Sequence, residues 1–204
     1  MSTPAHYASV FATLAKNSLI RELTFRGNFV IECISSLSWV IMNFGFYWLV
    51  FQYTPMIGAD SGWGKYEFFI FVATTHFINS LVEMFFMPNT EEFSELVRGG
   101  GLDFALTKPL DTQFLISVSK IDWSGVTTFL FALVLLIASL AKLDTVPSWW
   151  QFALYPVYIL CGVGIMYSLM ISLSASSIWL GRNQSLYDFW FYITNFSRYL
   201  KEIF

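Results

Sequence analysis

Four apolar runs, at 29–51, 66–86, 116–141 and 152–180, decide most of what this chain can become. A helix crosses the hydrocarbon core of a bilayer with about 20 apolar residues. Each run is at least that long. A bilayer-crossing β-barrel would need shorter segments of alternating polarity, and none is present. The composition agrees, with 56% hydrophobic, 20% aromatic and only 12% charged residues, where a soluble domain carries about 25% charged. The expected fold class is therefore all-α, a single polytopic membrane domain with four clear transmembrane helices. The first two runs fit one crossing each. The third carries Lys120 and Asp122 in its opening turns, so its dry part should start near Trp123. The fourth has 29 residues and must tilt, bend or project.

The basic residues set the orientation. With the N-terminus inside, Lys16, Arg21, Arg26, Arg98, Lys108, Arg182, Arg198 and Lys201 fall on the cytoplasmic side, while only Lys65 and Lys142 face out. That asymmetry is the positive-inside pattern. Trp48, Tyr53, Trp63, Trp149 and Trp150 would then mark the outer interface. Before the first run, Tyr7, Val10, Phe11 and Leu14 share one helical face and Lys16, Arg21 and Arg26 follow. An amphipathic helix lying on the cytoplasmic interface over part of residues 1–28 is the expectation. No apolar core followed by a cleavage site precedes it. Cys33 and Cys161 lie inside apolar runs and read as buried free thiols.

Several chemistries are excluded. The stretch nearest to a P-loop, Ala59–Tyr66, lacks the first Gly and the Ser/Thr hydroxyl, so the chain has no ATP site of that kind. Two histidines, His6 and His76, are too few and too far apart for a zinc site. No nucleophilic triad can be assembled, and neither metal, cofactor nor nucleic acid is expected. Asn183-Gln-Ser and Asn195-Phe-Ser match the glycosylation pattern but fall on the predicted cytoplasmic side.

Polar residues inside the runs carry more information. His76, Asn79, Ser80 and Glu83 form one stripe at helical spacing, and Glu32, Ser35, Ser36 and Asn43 lie near one face of the first span. Ionisable groups in a span face the protein interior or a wet path. Two readings stand: the lining of a substrate path, or interhelical hydrogen bonds that act as packing glue. In the fourth run Gly164, Ser168, Ser172 and Ser176 recur every four residues, a packing face within the chain or between two copies. Lys120 and Asp122 read as an interface anchor that snorkels.

Between the second and third runs lies a polar island, 87–115, too charged and Gly-rich to cross. Met87-Pro88 should stop the second span. Asn89 and Thr90 then cap a short acidic helix from about Glu91 to Arg98, ended by Gly99-Gly100-Gly101. Leu102–Leu106 offers a second turn, closed by Lys108-Pro109. A capped loop of this kind is a handle for a partner.

The wording of that island resembles the membrane subunit of an ABC transporter of the ABC-2 type. The resemblance rests on Gly-x-Leu-Asp-x-x-Leu-x-x-Pro-Leu, here Gly100, Leu102, Asp103, Leu106, Pro109 and Leu110. Weaker points are Phe25-Arg26-Gly27-Asn28, Gln113-Phe114 and Phe196-Ser197-Arg198-Tyr199. It implies a bacterial cytoplasmic-membrane permease, working as a homodimer or heterodimer with a separate cytoplasmic ATP-binding subunit. Glu95, Arg98, Leu102, Asp103, Leu106 and Pro109 would couple ATP-driven closure to the transport path. Export of a lipid-like or drug-like substrate is implied by the resemblance alone. The family usually has six spans, so a C-terminal part is expected to be missing, with 181–204 cytoplasmic or the start of the next membrane element. Leu200 also stands where the family has Pro. Rival readings are a non-transport membrane scaffold and a lipid-acting membrane enzyme seeded by Glu32, His76 and Glu83.

Overall fold

The structure is a computed structural model that describes residues 4–57, 63–108, 110–143 and 148–176. Eight helices and a two-residue hairpin make up the described residues. Helix α1 (Pro4–Thr24) leads directly into α2 (Arg26–Tyr53). Strands β1 (Met56–Ile57) and β2 (Trp63–Gly64) pair antiparallel, Met56 opposite Gly64 and Ile57 opposite Trp63. They form the turn into α3 (Lys65–Phe85). The island forms α4 (Met87–Gly99), α5 (Leu102–Leu106) and α6 (Thr112–Val118). Helices α7 (Gly125–Leu140) and α8 (Trp149–Ala175) follow. The architecture is helical as expected; the small hairpin was not anticipated.

Three of these helices, α2, α3 and α8, are long and apolar enough to cross a membrane. The expected third span does not form as one helix from 116. It breaks at Ser119–Ser124, and α7 has only 16 residues. At 1.5 Å per residue that is about 24 Å, short of the roughly 30 Å hydrocarbon core. The polar groups of Lys120 and Asp122 mark the break, which places the start of the apolar helix close to Trp123 as their sequence position implies.

Helix α3 is the core of the molecule. Of its apolar stretch 56% is buried, against 6% in α2 and 11% in α8, so the other helices pack around it. Phe68, Phe69, Val72 and Ala73 form the main cluster with Phe51 of α2 and Leu135 of α7. A second cluster joins Val82 to Met170, flanked by Phe86, Val163 and Met166. Two glycines permit the close approaches. A Cβ on Gly125 would sit 3.2 Å from Met84 Cβ, and one on Gly162 would sit 2.6 Å from Ile78 Cδ1. Thr74 Oγ1 and the Tyr155 hydroxyl, 2.8 Å apart, tie α3 to α8. At the hairpin end, Lys65 Nζ lies 3.6 Å from the Trp48 ring centroid, a cation–π contact between the start of α3 and α2. There Glu67 accepts the Gly64 N–H at 2.7 Å.

The small-residue row of α8 does not pack within the chain as far as it is described. Gly164, Ser168 and Ser172 are exposed, and nothing lies within 4 Å of a Cβ built on Gly164. Ser168 and Ser172 donate to the carbonyls of Gly164 and Ser168, both at 2.7 Å, so their hydroxyls are satisfied on their own helix. Ser176 donates to the Leu173 carbonyl at 2.5 Å. The intramolecular packing face is the neighbouring one, through Gly162 and Met170. Cys33 is partly buried and Cys161 exposed, both as free thiols, so the expectation of two buried thiols fails.

Candidate functional site: the loop unit and the polar seam

The island folds against the break before α7, and the joint is made by polar side chains. Asn89 was expected to cap α4. Instead α4 starts at Met87 with Pro88 in its first turn, where a missing N–H costs nothing. Asn89 then falls inside the helix and is 2% exposed. Its amide nitrogen donates to the carbonyls of Phe85 (2.7 Å), Ser117 (3.1 Å) and Lys120 (2.7 Å). Its oxygen accepts from Ser119 Oγ and the Lys120 N–H, both at 2.7 Å. Two amide hydrogens serve three carbonyls, so one is shared. The whole side chain bridges α4 to the end of α6 and the start of the break, 117–120.

The remaining break backbone is satisfied in the same manner. The Ile121 N–H donates to Ser18 Oγ of α1 at 3.2 Å, and the Asp122 N–H to the Met84 carbonyl of α3 at 2.9 Å. The Trp123 N–H donates to both Glu22 oxygens at 3.1 and 3.0 Å, while its indole N–H reaches the Ala15 carbonyl at 3.2 Å. The Ser124 N–H donates to Asp122 Oδ1 at 2.9 Å. Irregular backbone near lipid is tolerated only when its polar groups are paired, and here three separate helices pair them. Desolvation pushes the Glu22 carboxyl above the ordinary glutamate range; the Trp123 N–H opposes the shift and the Asp122 charge adds to it. The amphipathic helix thus exists, but the half-buried Tyr7, Val10, Phe11 and Leu14 look at the protein. Tyr7 meets Phe114 with ring centroids 5.0 Å apart, and Phe11 meets Phe85 at 6.2 Å.

Lys120 is not a free snorkelling anchor. Its ammonium pairs with Glu92 of α4 at 2.9 Å. On the other side Tyr167 of α8 receives Gln113 Nε2 at 3.1 Å and lies 2.7 Å from Ser117 Oγ, which fixes α6. Asp111 caps α6 by accepting the Phe114 N–H at 2.8 Å.

The glycine break after α4 forms as expected. Gly100 has φ +72°, its N–H donates to the Val97 carbonyl at 3.4 Å, and the Gly101 N–H donates to the Leu96 carbonyl at 2.9 Å. This is a Schellman ending, and the left-handed backbone at Gly100 favours glycine. Helix α5 then turns outward. Leu102 is half-buried, Asp103 is exposed, and Leu106 is 56% exposed. Phe104, 78% exposed, is the most accessible aromatic of the unit and was not singled out from sequence. Glu95 is exposed on α4, which also carries Arg98; Pro109 and the segment 181–204 lie outside the described residues.

The polar stripes of α2 and α3 do come together. Ser35, Ser36, Trp39 and Val40 of α2 face His76, Asn79 and Glu83 of α3 and Thr128 of α7 around a cavity of about 380 Å³. Glu83 also lines a larger, open cavity of about 880 Å³ at the loop end, with Arg21, Glu22, Asn28, Glu32 and Asp122. Asn43 and His76 share a further void of about 10 Å³, near the capacity for one water. Among the described residues no group of three His, Cys, Asp or Glu could hold a metal.

Apolar crossing helices around a buried polar seam, with a structured polar loop at one end, define an integral membrane protein of the helical, multi-pass class. A family model described as ABC-2 family transporter protein matches residues 37–204, most of the chain. The chain belongs to that family, the membrane component of ABC transporters. No match was found among curated proteins or among solved structures.

Proposed function

We propose that the chain is the permease subunit of an ATP-driven exporter in the bacterial cytoplasmic membrane, with its N-terminus inside. It moves a lipid-like or drug-like molecule and is powered by a separate ATP-binding subunit. Two permease protomers would form the path between them. The observation that carries this reading is the α4–α5 unit. It presents exposed apolar side chains, Phe104 and Leu106, on the turn that follows α4, and α4 is tied by Asn89 to the end of α3, to α6 and to the break before α7. A push on α5 therefore reaches the spans through hydrogen-bonded backbone rather than through a slack linker. Glu95, Arg98 and Asp103 would supply polar contacts around the apolar centre, and Pro109 would set the exit toward α6.

The test is co-purification of the partner ATPase with wild type and with Leu102→Ala/Leu106→Ala, with Phe104→Ala as a second variant. Buried anchors at such an interface cost about 2 kcal/mol each on truncation. Each variant should therefore lose tenfold or more in partner binding and in transport-linked ATP hydrolysis, while membrane insertion is kept. Unchanged binding and hydrolysis in all variants would leave the loop a linker and favour a scaffold.

A further inference from the structure

The 380 Å³ cavity contains two polar side chains that make no hydrogen bond among the described residues. Asn79 is 9% exposed and Thr128 5% exposed. Among the described residues neither the Asn79 carboxamide nor the Thr128 hydroxyl makes a hydrogen bond to a protein group, and both line the cavity. Some neighbouring hydroxyls are satisfied within their own helices. Ser80, Thr127 and Ser174 are all bonded to their own helix carbonyls. A buried amide without a partner is costly, more so in an apolar setting. A cavity that keeps one on α3 and a hydroxyl opposite on α7 is therefore built to receive hydrogen-bonding groups from a ligand.

The charge around the cavity selects that ligand. Glu83 sits at the junction with the loop-end cavity, whose described lining holds Glu22, Glu32 and Asp122 with Arg21. Glu22, Glu32 and Asp122 take hydrogen bonds from the Trp123 N–H, Asn28 Nδ2 and the Ser124 N–H, all neutral donors, and the Arg21 charge acts on Glu22. The approach is thus negative. The wall toward α2 carries Ser35 and Ser36 and, beside them, an apolar strip of Trp39, half exposed, and Val40, buried. An ammonium has three donors and no acceptor, which suits the Asn79 and Thr128 oxygens and a carboxylate, and an aromatic face adds to its attraction.

Resting on the permease reading, we propose that this cavity binds the head of an amphipathic amine, whose tail lies along Trp39 toward the lipid, and that such amines are the class transported. Asn79 and Thr128 hold the head by hydrogen bonds, and Glu83 selects its charge.

The test uses the 204-residue chain in nanodiscs of zwitterionic lipid, without ATPase or nucleotide. Three eight-carbon chains carry a dansyl group at one end and an amine, an alcohol or a carboxylate at the other. Fluorescence titration, corrected for empty nanodiscs, reads saturable binding. The amine should bind at least tenfold more tightly than the carboxylate, with the alcohol between. Asn79→Leu should weaken amine and alcohol alike, about tenfold. Glu83→Gln should bring the amine down to the level of the alcohol. Ser172→Ala, on the exposed face of α8, should change nothing. Thr128→Val, close in volume, repeats the hydrogen-bond test should Asn79→Leu unfold. Tighter binding of the carboxylate, unchanged amine binding in a folded Asn79 or Thr128 variant, or no saturable binding of any probe would overturn the assignment; the last would leave the cavity to water. The partner ATPase plays no part, so a failure here is distinct from a failure of the loop variants above.

Discussion

Asn89 holds five partners with one side chain, and no apolar residue of similar size can replace that. Asn89→Leu keeps the volume and strands the Lys120 N–H and several buried carbonyls. Each buried group left unpaired costs about 1–3 kcal/mol. The variant should lose about 3 kcal/mol or more, read as a large fall in thermal stability in detergent; a loss under 1 kcal/mol would mean the joint is dispensable. The role of Asn89 was not legible locally. Its sequence context, after Pro88 and before two glutamates, is that of a helix cap, and its real partners lie 28 and 31 residues away. Asn79 was legible, because its helical spacing with His76 and Glu83 forms a stripe. Thr128 was not, since a threonine in an apolar run ordinarily bonds its own helix and announces nothing.

Among the elements, α2, α3 and α8 could be read closely from apolar length. The expected run 66–86 is α3 at Lys65–Phe85 within a residue. The third run was over-read because Ile116, Val118 and Ile121 continue the apolar pattern across the break, and only Lys120 and Asp122 betray it. Helix packing was the less legible part. A four-residue repeat of small side chains pointed to Gly164, whereas the contact is made by Gly162, which has no such repeat around it. The two glycines give a clean comparison. Gly162→Leu drives a side chain into Ile78 and should cost about 1–3 kcal/mol by overpacking. A Cβ on Gly164 meets nothing among the described residues, so Gly164→Leu should leave protomer stability within about 0.5 kcal/mol. Thermal melts of both variants in dilute detergent check the pair; equal losses would refute the packing of α8 described above.

For the whole molecule, the asymmetry of Lys and Arg is the ground of the proposed orientation. Single cysteines at Ser61 and Thr145, in a background lacking Cys33 and Cys161, should react with an impermeant thiol reagent added to intact cells. Cysteines at Ser94 and Ser185 should not, and labelling of that second pair would invert the arrangement. The central place of α3 has a consequence for how the protein is made. A segment leaves the translocon for lipid when lipid suits it. Only 6% of the apolar stretch of α2 is buried, so it can depart alone. The polar stripe of α3, with His76, Asn79 and Ser80 buried, is a poor match for bare hydrocarbon. Its most extensive partner, α7, begins 40 residues after it ends, at Gly125 against Phe85. During synthesis α3 must therefore be sheltered while the ribosome completes the island, which makes the interval between these two helices the vulnerable period of biogenesis.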